Sequence, residues 1–442
     1  MTTPDFSEPL NPPFMLGVYL AVNAVTDAFL LVDGPDCAHM KTQYIQGNHD
    51  WLSTLTDING FHRVSNTALH PFHMARSREP QIQARLADLA SHEPAGVVMV
   101  TPLPMASITA VDYERLGRHV ARQPGSCPVL SIPNRSLSGD WLTGYSLTLQ
   151  NLATQMELSP ESTQPGRVGL VGYLMDRNEA DHQANLAELR RLLEALDVEL
   201  LPPWLSGTSY ADLRRIAEAS LIVSLPSGRR AARTLARRLQ VPLVETDLPF
   251  GLAGTGRWLR QVATAMERQD RVEQVIDDEL SRVVPPLQWV IPHLFLHRRL
   301  SFVGDPYLLT GFLELIGELG CRPGPLVVTA RSAHAPELKQ LHGQVIYEPQ
   351  RKQMMAHLEP AHRGMIDLVV ANNLGISVVG DAVATVEFGF PSFSTHALYP
   401  RPFLGFNGAL AFIDTMANAL RQADFKRQQR QHAPSTQQAP RP

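Results

Sequence analysis

Short apolar runs alternate with longer stretches of mixed three- and four-residue hydrophobic spacing along most of this chain. That alternation is the pattern of buried parallel strands separated by helices. In the first third, Ala28 to Val32, Gly96 to Thr101 and Val129 to Ile132 read as buried strands, with helices over Glu79 to Leu89 and Asp112 to Arg122. Pro, Ser, Thr and Gln gather from Ser159 to Gly166, and a second unit opens with the strand Arg167 to Gly172. Its helix covers Glu179 to Leu196, its further strands are Glu199 to Leu201, Ser220 to Leu225 and Val241 to Glu245, and a long polar helix, Trp258 to Val283, leads out of it. A third unit opens at Arg299 to Gly304 and continues through Leu326 to Thr329, Val345 to Tyr347, Leu368 to Ala371 and Thr385 to Phe388, before an amphipathic helix from Asn407 to Ala423. The pattern predicts an α/β protein of three units over residues 1–165, 166–285 and 286–423. The segment 424–442 is rich in Gln, Arg and Pro and too poor in apolar residues to offset the cost of ordering, so it is expected to be a disordered tail.

Length agrees with that division, since 442 residues exceed what one core organises. With 39 Lys and Arg against 43 Asp and Glu the formal charge is −4, without long runs of one sign, so no nucleic-acid-binding surface is expected. The first residues lack a basic segment followed by an apolar run, and nothing approaches the roughly 20 apolar residues of a membrane helix. A soluble cytoplasmic protein without membrane contact is expected. The three cysteines, Cys37, Cys127 and Cys321, are far apart, which excludes a disulfide framework and a self-contained zinc site.

Cys37 is the residue with the most evident chemistry. It follows the strand ending at Val32 and the turn Asp33-Gly34-Pro35-Asp36, at the start of a helix. Gly34 is expected to supply backbone freedom and Pro35 a fixed φ. A thiol at a helix N-terminus feels the positive end of the helix dipole and favours thiolate, the form that ligates metal or attacks; the alternative is a buried structural cysteine. His49, His62, His70 and His73 follow within one stretch, and His49, His70 and His73 are candidate proton donors in a cleft beside Cys37. Pro71 argues against a regular helix over His70 to His73. The second and third units place an acidic residue close behind a glycine, Gly172 with Asp176 and Gly304 with Asp305, but neither completes GxGxxG, and no GxxxxGK with a following Ser or Thr occurs.

Several segments together resemble the component 1 subunits of nitrogenase and of nitrogenase-like reductases such as the dark-operative protochlorophyllide and chlorophyllide reductases. They are Asp33 to Cys37, Ser138-Gly-Asp-Trp-Leu-Thr-Gly-Tyr145, Pro249 to Thr255 with Trp258-Leu259, Gly304-Asp305-Pro306, Phe388-Gly-Phe-Pro391, Ser394-Thr-His396, and Phe403 to Ala409. Their order spans about Pro9 to Leu420. The resemblance implies three stacked α/β domains around a cleft and an oxidoreductase subunit. It further implies an iron–sulfur cluster, 4Fe–4S or P-cluster-like, near Gly34, Pro35 and Asp36 with Cys37 as the metal ligand. A paired component 1-type subunit, a dimer or a tetramer of two pairs, an ATP-dependent iron–sulfur reductase and a small-molecule substrate complete the implied system. Two departures stand out. Asn11-Pro12 and Leu103 occupy positions where the family's fuller cluster sites carry cysteine, so Cys37 is the one matching thiol. A cluster needs about four ligands, so the remainder is expected from the partner or from a ligand such as Asp36. Two alternatives stay open: a non-catalytic cofactor-assembly scaffold of the same fold, and a small-molecule-binding α/β protein without a cluster.

Overall fold

The computed structural model describes residues 11–36, 38–56, 62–72, 77–159, 163–341, 343–380 and 383–432. Three parallel sheets follow one another along the chain. The first is formed by β1 (Ala28–Asp33), β2 (Val64–Asn66), β3 (Val97–Pro102) and β4 (Val129–Ser131) in the order β2-β1-β3-β4. The second holds β5 (Arg167–Val171), β6 (Glu199–Leu200), β7 (Leu221–Ser224) and β8 (Leu243–Glu245) in the order β6-β5-β7-β8. The third holds β9 (Arg299–Gly304), β10 (Arg322–Val328), β11 (Val345–Tyr347), β12 (Leu368–Ala371) and β13 (Ala384–Glu387) in the order β11-β10-β9-β12-β13. β1 and β3 are buried along their whole length, as parallel strands covered on both faces must be.

Each sheet reverses direction of winding beside its first strand. In doubly wound sheets that reversal opens a crevice outside the carboxyl ends of the two strands, the position where such folds bind ligands. In the first sheet the crevice lies between the ends of β1 and β3, so the turn Gly34-Pro35-Asp36 faces the segment beginning at Leu103. In the second sheet Gly172, at φ +91°, follows β5, and a Cβ there would lie 2.3 Å from the Gly228 nitrogen, so the two backbones close that crevice on themselves.

Helix Phe14–Asn23, absent from the expectation, is buried at every residue and has no polar face to produce a 3.6-residue period. It packs backbone to backbone against helix Trp141–Gln155. A Cβ on Gly17 would sit 1.7 Å from the Trp141 carbonyl oxygen, and one on Gly144 2.0 Å from that of Phe14. The long polar helix expected over Trp258 to Val283 is two helices, Leu252–Ala265 and Gln269–Val290, separated where Glu267 adopts φ +57°.

The C-terminal helix also departs from expectation. It runs from Gly405 to His432 and thus through the first part of the segment expected to be disordered. Asp424 explains this, because its carboxylate is held by the Arg298 guanidinium at 2.6 Å. The helix crosses back to the second unit, where Glu188 accepts from the Asn407 amide at 3.0 Å and from its side chain at 2.6 Å.

Gly144→Ala is expected to cost about 3 kcal/mol or more, the scale of overpacking against an unyielding backbone. Equilibrium denaturation checks this, with an exposed helical substitution such as Asn418→Ala as a near-neutral control.

Candidate functional site

The crevice of the first sheet stands on a buried ion pair. Asp33, the last residue of β1, is fully buried. It accepts from both Arg78 terminal nitrogens at 3.0 and 2.5 Å, from the Thr67 hydroxyl at 2.6 Å and from the Tyr113 hydroxyl at 2.5 Å. Burial, then Asp33 itself, pushes the Tyr113 hydroxyl well above its usual range, so it stays a donor. Thr67 also accepts from the Gly34 amide at 3.1 Å, which ties the turn to this network. None of Arg78, Thr67 and Tyr113 stands out in the sequence as a site residue. A charge at the end of an apolar strand was the only signal that Asp33 needed partners.

The turn itself differs from expectation in one physical respect. Gly34 does not adopt a positive φ. It is required for space, since a Cβ there would meet the Leu103 side chain at 2.5 Å. Leu103 therefore fills the crevice with hydrocarbon directly against the turn. Pro35 is half-buried and Asp36 exposed. The Asp36 carboxylate accepts from the Asn66 amide at 2.8 Å. Cys37 lies outside the described residues, and helix Ala38–Ile45 follows it.

The candidate histidines are dispersed. His49 is 1 % exposed, and both ring nitrogens are engaged by backbone groups. Its Nδ1 accepts from the Ser392 amide at 2.9 Å, which leaves the proton on Nε2 to be donated to the Asp176 carbonyl oxygen at 3.1 Å. In this arrangement His49 has no nitrogen free to deliver a proton; it joins the first unit to the other two. His70 is exposed and stacks on the exposed ring of Phe72, centroids 4.9 Å apart. His73 lies outside the described residues.

Sequence reasoning gave no role to the group around His49. Asp176 lies 2.7 Å from His182 Nε2, and His182 Nδ1 lies 2.8 Å from the Tyr173 hydroxyl, which also accepts from Asn185 at 3.1 Å. Burial would raise the Asp176 carboxyl, but the charge and close approach of His182, with a smaller contribution from His49, hold it well below the usual range. Burial acts in the opposite direction on His182, and Asp176 overcomes it to raise the imidazole. Tyr173, Asp176 and His182, with Asp305, Phe403 and Leu404, line a cavity of only about 50 Å³ between the units. Asp305 caps helix Pro306–Glu318 by accepting from the Tyr307 and Leu308 amides at 2.8 and 2.9 Å. Its burial pushes its carboxyl up to about 6.

A family profile described as nitrogenase component 1 type oxidoreductase matches residues 14–421. The chain belongs to that family. This component 1-type chain is 23% identical over 456 residues to the nitrogenase vanadium-iron protein beta chain of Trichormus variabilis, covering 93% of the chain and 94% of that relative. It is 29% identical over 256 residues to one subunit of the light-independent protochlorophyllide reductase of Chlorobium luteolum, covering 48% and 46% of the two chains. A solved structure of nitrogenase Cp1 at pH 6.5 superposes with a TM-score of 0.80 at 16% identity, covering 100% of this chain and 98% of that one, which shows the shared fold. The protein is a nitrogenase-like oxidoreductase subunit of three parallel-sheet α/β units.

An iron–sulfur cluster held by this component 1-type chain alone finds no full donor set among the described residues. Among the described residues no three His, Cys, Asp or Glu side chains are grouped to hold a metal. Leu103 presents only hydrocarbon to the turn at Gly34. Burial pushes Cys127 up to about 11 and Cys321 up to about 12, away from thiolate, and the Cys321 thiol donates to the Phe295 carbonyl at 3.2 Å.

Arg78→Ala is expected to cost about 3–5 kcal/mol, because it leaves the Asp33 carboxylate buried and unpaired; Arg78→Ala with Asp33→Asn should recover part of that loss in a denaturation series. Asp305 gives a pH-dependent outcome. Its folded pKa lies above the unfolded value of about 3.9, so its contribution is favourable only at low pH and is lost as pH rises towards 6. Asp305→Asn keeps the capping oxygen, and should raise stability at pH 7 by up to about 2–3 kcal/mol with the gain vanishing below about pH 4. Unfolding measured at the two pH values tests the sign.

Proposed function

We propose that this chain is one half of a paired component 1-type oxidoreductase and supplies Cys37 to an iron–sulfur cluster completed by its partner subunit. The observation that carries the proposal is the family match over residues 14–421 in a chain whose switch-point turn bears a single thiol. When bound, such a cluster supplies one-electron transfer. The chain's own residues would fix its surroundings: Asp33, Arg78 and Thr67 hold the turn, Gly34 and Leu103 exclude water beside it, and Asp36 and Asn66 form its polar rim. Electrons would come from an ATP-dependent iron–sulfur reductase, as the family resemblance implies, and the lack of a GxxxxGK loop with a following Ser or Thr agrees with hydrolysis on a separate partner. A small molecule would be the final acceptor, and a cytoplasmic setting suits a cluster of this kind. Among the described residues no helix is long and apolar enough to cross a membrane. A proton-donating role within the histidine-bearing stretch falls to His70 and His73, because the His49 ring is engaged on both sides.

The test is iron and sulfide content after anaerobic purification, alone and with a cysteine-richer partner. The chain alone is expected to carry little iron and the pair a full complement. Cys37→Ser in the pair should abolish most of it while the circular dichroism spectrum is unchanged. Full iron and full visible absorption in that variant would sink the proposal, and precursor cluster without reductase-driven turnover would favour an assembly scaffold.

A further inference from the structure

The cavity of about 50 Å³ between the units is lined by two polar side chains with bonding capacity left unused. Asp305 is 3% exposed. Its Oδ1 accepts both cap hydrogen bonds, from the Tyr307 and Leu308 amides at 2.8 and 2.9 Å, and its other oxygen has no donor among the described residues. Ser227, in the turn Pro226–Gly228 of the second unit, is 4% exposed, and its hydroxyl has no partner among the described residues. Neither oxygen is sealed in by its neighbours, and in residues this deeply buried the open space they meet is the cavity that both line. We propose that this cavity binds a small primary ammonium ion, held by Asp305 and Ser227.

The charges on the walls call for a cation. Asp176 is matched by His182 at 2.7 Å, and Asp181 by Arg177, whose Nε lies 3.2 Å away. The ring of His49 is engaged on both sides. Three carboxylates and two cationic side chains line the cavity, and Asp305 is the carboxylate left without a counter-charge. Burial, and after it Asp176, raises the Asp305 carboxyl to about 6 against the pull of the two cap amides and His334. At neutral pH it is chiefly an anion, and one that its surroundings compensate incompletely.

Size and lining narrow the class of ligand. One water takes about 10–15 Å³ on this measure, so the cavity has room for about three or four non-hydrogen atoms. Most of the wall is hydrocarbon, including Leu174, Leu308 and the rings of Phe388 and Phe403, which stand edge to face with centroids 5.2 Å apart. Two side-chain oxygens are too few for a bare metal ion, which takes about six or more. An alkylammonium ion suits both parts of the wall. Its N–H groups donate to Asp305 and Ser227, and its alkyl part lies among aromatic rings, whose faces attract a cation. A neutral alcohol of the same size would leave the Asp305 charge unmatched. Tyr307 and Leu248 line both this cavity and an open cleft of about 510 Å³ beside it, so the route inward passes between them.

Calorimetric titration of the full chain at pH 7 and fixed ionic strength tests the proposal, with ethylammonium, potassium and tetraethylammonium chlorides and with ethanol. The measurement needs neither Cys37 nor iron, so this site and the proposed cluster stand or fall separately. Ethylammonium is expected to bind one per chain at millimolar concentration and to raise the thermal midpoint, while the other three do neither. Asp305→Asn keeps the capping oxygen and should fold, yet weaken ethylammonium by about tenfold or more, the scale of a charge-assisted hydrogen bond. Ser227→Ala should weaken it by about threefold, the scale of a neutral one. No binding of ethylammonium by the unaltered chain, equal binding of ethanol or potassium, or undiminished binding by folded Asp305→Asn would overturn the assignment.

Discussion

Two adjacent buried residues, His49 and Asp50, tie the three units together. His49 bonds to Asp176 in the second unit and to Ser392 in the third. Asp50 accepts from Asn23 at 2.7 Å within the first unit and from the Asn178 side chain at 2.8 Å and main chain at 3.0 Å in the second. Both side chains are almost wholly out of water, where an unmade polar contact is expensive. The orientation of one sheet against the next is thus fixed by a small set of directional bonds as well as by apolar packing. Trp141 does the same between the first and third units, donating its ring nitrogen to the Thr329 carbonyl at 3.1 Å. A crevice built from the ends of separate sheets keeps its shape only if such bonds hold.

The units were legible because buried parallel strands leave nearly continuous apolar runs: β1 and β3 are buried throughout, and β5 and β9 at every residue after the first. β2 was missed because Val64–Asn66 is three residues long with one buried side chain. The break at Glu267 was invisible because a left-handed residue need not be glycine. The end of the last helix was misplaced because one partly buried ion pair, Asp424 with Arg298, outweighs a polar composition locally.

The candidate site was legible only where one short segment carries it. Asp33 to Asp36 could be read directly, although the reason for Gly34 proved to be the volume of Leu103 and not backbone freedom. The Asp33–Arg78–Thr67–Tyr113 network joins residues up to 80 positions apart, and no local pattern announces such a meeting. The bonds of His49 were hidden for the same reason: its partners Asp176 and Ser392 lie 127 and 343 positions away. A histidine's chemistry is decided by what its two nitrogens already bind.

The final helix has a consequence for how the protein is made. Glu188 in the second unit bonds to Asn407, and Arg282 donates to the Asn407 side-chain oxygen at 2.7 Å. Phe250 packs edge-on against Phe412, centroids 5.3 Å apart. Part of the middle unit's surface is therefore covered by residues made long after it, Asn407 lying 219 positions beyond Glu188. During synthesis that part of the unit stays uncovered until the later helix has emerged. Contacts of such sequence separation form slowly, and an uncovered face is open to association in the interval.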